Sequence, residues 1–174
     1  NGFTLDHGFS MAAKLRPTPT LFMSYLNPLL AAGLDRFFAR VKREGISGVV
    51  VPDLPPEEAD GRRVIFLCSP TCGTERIRLI DRRSHDFIYL VSIRGVTGAR
   101  AGLPADLGSF IRRVRRLSNK MLCVGFGIST PAQAAQVAKL ADGVIVGSAI
   151  LRIAATSGPR GVERFVKSLR RALD

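Results

Sequence analysis

An α/β fold built on parallel strands is what this 174-residue sequence predicts, and three observations predict it. Short apolar runs alternate with amphipathic segments from Pro19 onward. The stretches between most successive runs are long enough to carry a helix, as parallel pairing requires. Two late runs end in small-residue turns, Gly125-Phe126-Gly127 and Gly147-Ser148, where a backbone without Cβ atoms admits a ligand to its peptide groups.

The elements follow in order. Residues 4–16 read as an opening helix. Strands are expected at 20–25, 48–51, 64–68, 87–91, 121–126 and 143–146, six in all. Leu34, Phe37, Phe38 and Val41 mark an amphipathic helix between the first two. A helix is expected around residues 75–81. Leu103, Leu107, Phe110, Ile111, Val114 and Leu117 recur at the spacing of one buried helical stripe. Thr130-Pro131-Ala132-Gln133 is a helix start: Thr caps, Pro takes the first helical position and Gln completes a capping box. A closing helix carries Val162, Phe165, Val166 and Leu169. One link is short. Between Val51 and Val64 the prolines and Gly61 leave room only for a stunted helix or an irregular loop.

Glycine turns at the carboxyl ends of two consecutive parallel strands, one leading into a helix, aim peptide N–H groups at an anion. That arrangement fits the phosphate site that (β/α)₈ barrels build after their last two strands. About six βα units in one domain, residues 1–174, make a partial barrel, because a complete one takes about 250 residues.

Composition sets the bounds. Hydrophobic content of 46% excludes a disordered chain. No apolar run reaches the roughly 20 residues of a membrane span, and no signal peptide is evident; a cytoplasmic protein is expected. Cys68, Cys72 and Cys123 are expected to be free thiols, without a metal site. The net charge of +12 raises a basic nucleic-acid-associated module as an alternative. Its densest group, Arg112, Arg113, Arg115 and Arg116, falls on the outward face of its helix, and the chain lacks Trp for stacking on bases.

The quoted segments, with Leu26-Asn-Pro28, Pro52-Asp-Leu-Pro-Pro-Glu-Glu58, Ile65-Phe-Leu-Cys-Ser-Pro70, Gly95-Val-Thr-Gly98, Gly125-Phe-Gly-Ile-Ser129 and Ala141-Asp-Gly-Val-Ile-Val-Gly-Ser148, make the chain resemble the tryptophan synthase alpha subunit family along its whole length. The resemblance implies a barrel that cleaves indole-3-glycerol phosphate to indole and glyceraldehyde 3-phosphate. It implies phosphate contacts at Gly98, Gly127, Gly147 and Ser148, with Tyr89 lining the indole glycerol pocket and Thr97 orienting a catalytic carboxylate. Asn27, Pro28 and Pro55 would lie in loops facing a β subunit, to which the pyridoxal phosphate belongs; no cofactor is expected in this chain.

The family's catalytic Glu and Asp would precede Asn1, along with the first two barrel strands, so no catalytic residue is assigned here. Asp53, Glu57 and Glu58 are the carboxylates nearest a strand end and are not convincing substitutes. A non-catalytic paralogue that keeps the phosphate cup is the second alternative. Plainer readings stand beside these: Tyr89 as a core tyrosine, Asp53 as a turn-former and Asn27-Pro28 as a turn. His7 and His85 are expected to be exposed. Two open sheet edges would favour self-association of the isolated chain.

Overall fold

Every strand pairing in the described residues is parallel. The structure is a computed structural model that describes residues 2–91, 104–125 and 127–174. These fall into two units, Asn1–Phe66 with Arg82–His85, and Leu67–Asp81 with Asp86–Asp174.

In the first unit, helix α1 (Leu5–Lys14) begins at a capping box. The Thr4 hydroxyl accepts the His7 N–H at 3.3 Å, and His7 Nδ1 accepts the Thr4 N–H at 3.1 Å. His7 is exposed, as expected, but it has a capping role that the usual Glu or Gln would fill. Strand β1 (Leu21–Met23) is shorter than expected, and Tyr25 lies on the surface beyond it. The sheet runs β1, β2 (Gly48–Val50), β3 (Val64–Ile65). All of β2 is buried, which is why it reads as an unbroken apolar run. The rings of Phe9 and Phe22 meet edge to face at 4.9 Å, and Phe37 packs 5.9 Å from Phe9. The Arg40 guanidinium stacks 4.0 Å above Phe9.

Two expectations change here. Residues Leu26–Ala32 form a helix, α2, ahead of the anticipated α3 (Leu34–Arg43). Asn27 and Pro28 therefore sit in a first helical turn rather than in a loop. Proline is tolerated there because the first N–H groups have no intrahelical acceptor. The second change concerns residues 64–68, which do not form one strand. Val64–Ile65 pairs with β2, whereas β4 (Leu67–Cys68) pairs with β5 (Phe87–Val91). The chain changes partner at Phe66. Its N–H leaves the ladder and donates to the buried Ser84 hydroxyl at 3.0 Å, so the break leaves no orphaned amide. His85, next along, is half-buried rather than exposed. The short crossover is a single 3-10 turn, Pro56–Glu58, as expected.

The second unit carries the sheet β4, β5, β6 (Met121–Gly125), β7 (Gly143–Val144). Helix α4 (Thr74–Arg83) runs across the division between the units. Helix α5 (Leu107–Arg115) buries Leu107, Phe110, Ile111 and Val114, the expected stripe; Leu103 lies outside the described residues. Arg112, Arg115 and Arg116 face outward. Arg113 does not: it is half-buried and donates to the carbonyls of Cys72 and Pro70, each at 2.7 Å. Helix α6 (Pro131–Ala138) starts at the anticipated capping box. Helix α7 (Ser148–Leu173) starts earlier than the expected closing helix and bends at Gly158, where φ 61° and ψ −167° interrupt it before Pro159.

Asp142 fastens the sheet to its loop. Its carboxylate accepts the Leu122 N–H at 2.7 Å and pairs with Arg115. Burial works against the charged form, but Arg115 and the Leu122 N–H outweigh it and hold this carboxyl below its usual range. A depressed folded-state pKa contributes stability that is present above the unfolded value of about 3.9 and is lost as pH falls through the folded value. Asp142→Asn should lower the urea midpoint at neutral pH, and the gap from the unmutated chain should shrink as the pH falls below about 4. A gap that stays constant across that range would mean that the charge is not its source.

Candidate functional site

Because β5, β6 and β7 run the same way, their carboxyl ends finish at one end of the sheet. The register aligns Leu90 with Val124 and Val124 with Val144. The Ile145 N–H extends the last ladder to the Val124 carbonyl at 2.7 Å. Gly127 follows β6 and Gly147 follows β7, each in the turn beyond its strand's carboxyl end.

Each glycine answers a different demand. Gly125 closes β6 with the Tyr89 ring lying on it. A Cβ at Gly125 would stand 2.2 Å from Tyr89 Cε2 and 2.3 Å from its hydroxyl oxygen. Tyr89 itself is buried, and burial pushes its phenol pKa up, which keeps the hydroxyl protonated. Gly127 takes φ +81°, in the region that side chains disfavour. Gly147 has open space where a Cβ would project, and both it and Ser148 are exposed.

The helices that follow these turns differ at their amino ends. At α6, Gln133 Oε1 accepts the N–H groups of Ser129 and Thr130 at 2.8 and 3.2 Å. The Gln133 N–H in turn reaches the Thr130 hydroxyl at 3.2 Å, and Pro131 has no N–H to give. The Thr130 and Gln133 side chains thus cap that helix end. At α7 no side chain caps the start, and the first intrahelical bond described runs from Leu151 to Gly147 at 3.1 Å. An open helix start carries partial positive charge and aligned N–H donors, the ordinary means of holding an anion.

Thr97 and Gly98 lie outside the described residues. Asn27 and Pro28 are exposed on α2, and Pro55 is half-buried just before the 3-10 turn. Asp53 ties these together: its Oδ1 accepts the Leu26 N–H, the first of α2, at 2.8 Å. The sequence allows a turn or a site role at Asp53; its capping of a helix 27 residues back carries no local signature. Among the described residues no group of three or more His, Cys, Asp or Glu side chains is placed to hold a metal ion. No helix there is long and apolar enough to cross a membrane.

A family model described as "Tryptophan synthase alpha chain" matches residues 1–172. The chain belongs to the tryptophan synthase alpha chain family. It is 46% identical over 187 residues to the alpha chain of Dehalococcoides mccartyi, covering 100% of this chain and 73% of that one. The Geobacter sulfurreducens alpha chain is 44% identical, with 99% and 71% covered. Among solved structures, a Mycobacterium tuberculosis tryptophan synthase superposes with TM-score 0.88 at 31% identity, covering 99% of this chain and 70% of that one. A Pyrococcus furiosus tryptophan synthase a2b2 complex gives 0.85 at 34%, covering 99% and 75%. Members of this family are lyases of tryptophan biosynthesis, and the fold of the chain is a partial (β/α)₈ barrel.

The Tyr89–Gly125 contact leads to a paired expectation. Gly125→Ala should displace the ring and destabilise the chain by about 1–3 kcal/mol. Gly147→Ala, with room for its Cβ, should change stability by less than about 0.5 kcal/mol. Urea denaturation followed by tyrosine fluorescence separates the two, and equal effects would refute the contact.

Proposed function

We propose that the chain holds the phosphate of indole-3-glycerol phosphate, in the retro-aldol reaction that yields indole and glyceraldehyde 3-phosphate. The uncapped start of α7, in the turn that follows β7, is the observation that carries this reading. Backbone N–H groups of Gly98, Gly127 and Gly147 and the Ser148 hydroxyl receive the phosphate oxygens. Tyr89 flanks the indole glycerol portion and Thr97 orients a carboxylate.

The cleavage breaks the bond between indole C3 and the glycerol chain. A base takes the glycerol hydroxyl proton as the aldehyde forms, and an acid returns a proton to the ring carbon. These 174 residues grip the ester without supplying that pair. Asp53 is engaged in capping α2, and Glu57 and Glu58 lie exposed on the 3-10 turn. The isolated chain therefore binds substrate and does not turn it over. A β subunit docks on the exposed Asn27 and Pro28 and on Pro55, and pyridoxal phosphate belongs to that subunit, with no cofactor in this chain. The assembly is cytoplasmic. A nucleic-acid role finds no support, since Arg113 and Arg115 of the densest basic group are committed to carbonyls and to Asp142.

Isothermal titration with indole-3-glycerol phosphate, alongside an indole-release assay with and without β subunit, tests this reading. Saturable binding without indole release by the isolated chain is expected. Ser148→Asp places a like charge against the phosphate and should weaken binding about tenfold or more, equivalent to about 1.4 kcal/mol, with thermal stability maintained. Indole release by the isolated chain would overturn the assignment of acid and base outside it. Unchanged affinity in Ser148→Asp would overturn the phosphate site.

A further inference from the structure

The turn after β4 holds a second chemical feature that the reaction above does not use. Cys68 ends the strand and is buried; Cys72 follows four residues later and is half-exposed. Both sulfurs gather on Ser69. Cys68 Sγ donates to the Ser69 carbonyl at 3.9 Å, and Cys72 Sγ lies 3.5 Å from the Ser69 hydroxyl. The two thiols also perturb each other's titration in opposite directions.

The turn is held closed from two sides. The Cys72 N–H donates to the Ser69 carbonyl at 3.0 Å, and the Arg113 guanidinium grips the carbonyls of Pro70 and Cys72. A hollow of about 350 Å³, lined by Pro70, Asp106, Ser109, Phe110, Arg113 and Arg116, opens beside this turn.

We propose that Cys68 and Cys72 are a reversible oxidation site, which a small hydroperoxide converts to an intramolecular disulfide. The more exposed Cys72 thiolate attacks the peroxide and becomes a sulfenic acid, releasing water or an alcohol. The Cys68 sulfur then attacks the Cys72 sulfur. The S–S bond forms, the S–OH bond breaks, and the Cys68 proton leaves with the hydroxyl as water. Two thiols are oxidised by two electrons and one peroxide is reduced.

The environment divides the roles. Interaction with the Cys68 thiol lowers the Cys72 pKa and, against the opposing effect of burial, Ser69 and the Arg76 charge add to the lowering. Cys68 is pushed up by the same interaction and by burial. Such an asymmetric pair provides one thiolate to attack and one thiol to resolve. Cys123 offers no competition: burial and the Asp142 carboxylate push its thiol up to about 11.

Treating the full chain with hydrogen peroxide at neutral pH and mapping tryptic peptides tests the proposal. Trypsin separates residues 64–76, which contain both Cys68 and Cys72, from residues 121–139, which contain Cys123. The first peptide should lose the mass of two hydrogens, regain it with dithiothreitol, and react about tenfold or more faster than Cys123. In Cys68→Ser, Cys72 should be trapped as a sulfenic acid that dimedone captures. Oxygen accumulating on residues 64–76 without loss of two hydrogens would overturn the proposal, as would a disulfide to Cys123 or an inert pair. The unmutated chain alone decides this, whether or not Cys68→Ser folds.

Discussion

Parallel pairing of β5, β6 and β7 is the constraint on which the candidate site depends. Because the three strands run in one direction, their last residues finish at one end of the sheet. Reversing β6 or β7 would carry its glycine turn to the far end, about a strand's length away. Once the end is common, the backbone does the rest. Gly125 yields space to the Tyr89 ring, Gly127 accepts a left-handed φ, and Gly147 leaves the start of α7 open. A phosphate ester needs donors fixed in advance of its arrival, and the start of a helix supplies such peptide N–H groups.

The excess of positive charge has a local use that a net figure conceals. Arg113 pins the Cys68–Cys72 turn through two carbonyls, Arg115 holds Asp142, and Arg40 lies on Phe9 while pairing with Asp6 and Glu44. Guanidinium suits these tasks because its planar fork presents several donors at once. Exposed ion pairs add little stability each. An arginine bonded to carbonyls of a turn does something different: it fixes the path of the backbone between β4 and α4, and with it the positions of two thiols.

What the sequence disclosed was what adjacent residues determine. The Thr130–Gln133 capping box, the α5 stripe and the one-turn crossover at Pro56 are all local patterns, and all three are present. The break at Phe66 was hidden because an apolar run looks the same whether it pairs as one strand or two; the partners' registers decide. Helix α2 was hidden because Asn27-Pro28 signals a turn, while the helix start is completed by Asp53 from another loop. Arg113 was placed on the outward face by its periodicity, which says nothing of a carbonyl arriving from 43 residues back. The capping box itself held an unread consequence. A helix end satisfied by Gln133 has fewer amides to offer a ligand, so of the two glycine turns only the second leads into an open helix.

Gripping the ester and moving its protons are physically separable tasks. The first needs neutral donors held in place near a strand end, which is the role proposed for the turns after β6 and β7. The second needs ionisable groups within hydrogen-bonding reach of the reacting carbons. Asp53 is the carboxylate best placed near a strand end, yet withdrawing it would leave the first N–H of α2 without its acceptor, at a cost of about 1 kcal/mol. Its negative charge also lies where it complements the start of that helix. Binding without turnover, as proposed above, follows if Asp53 stays committed to this cap.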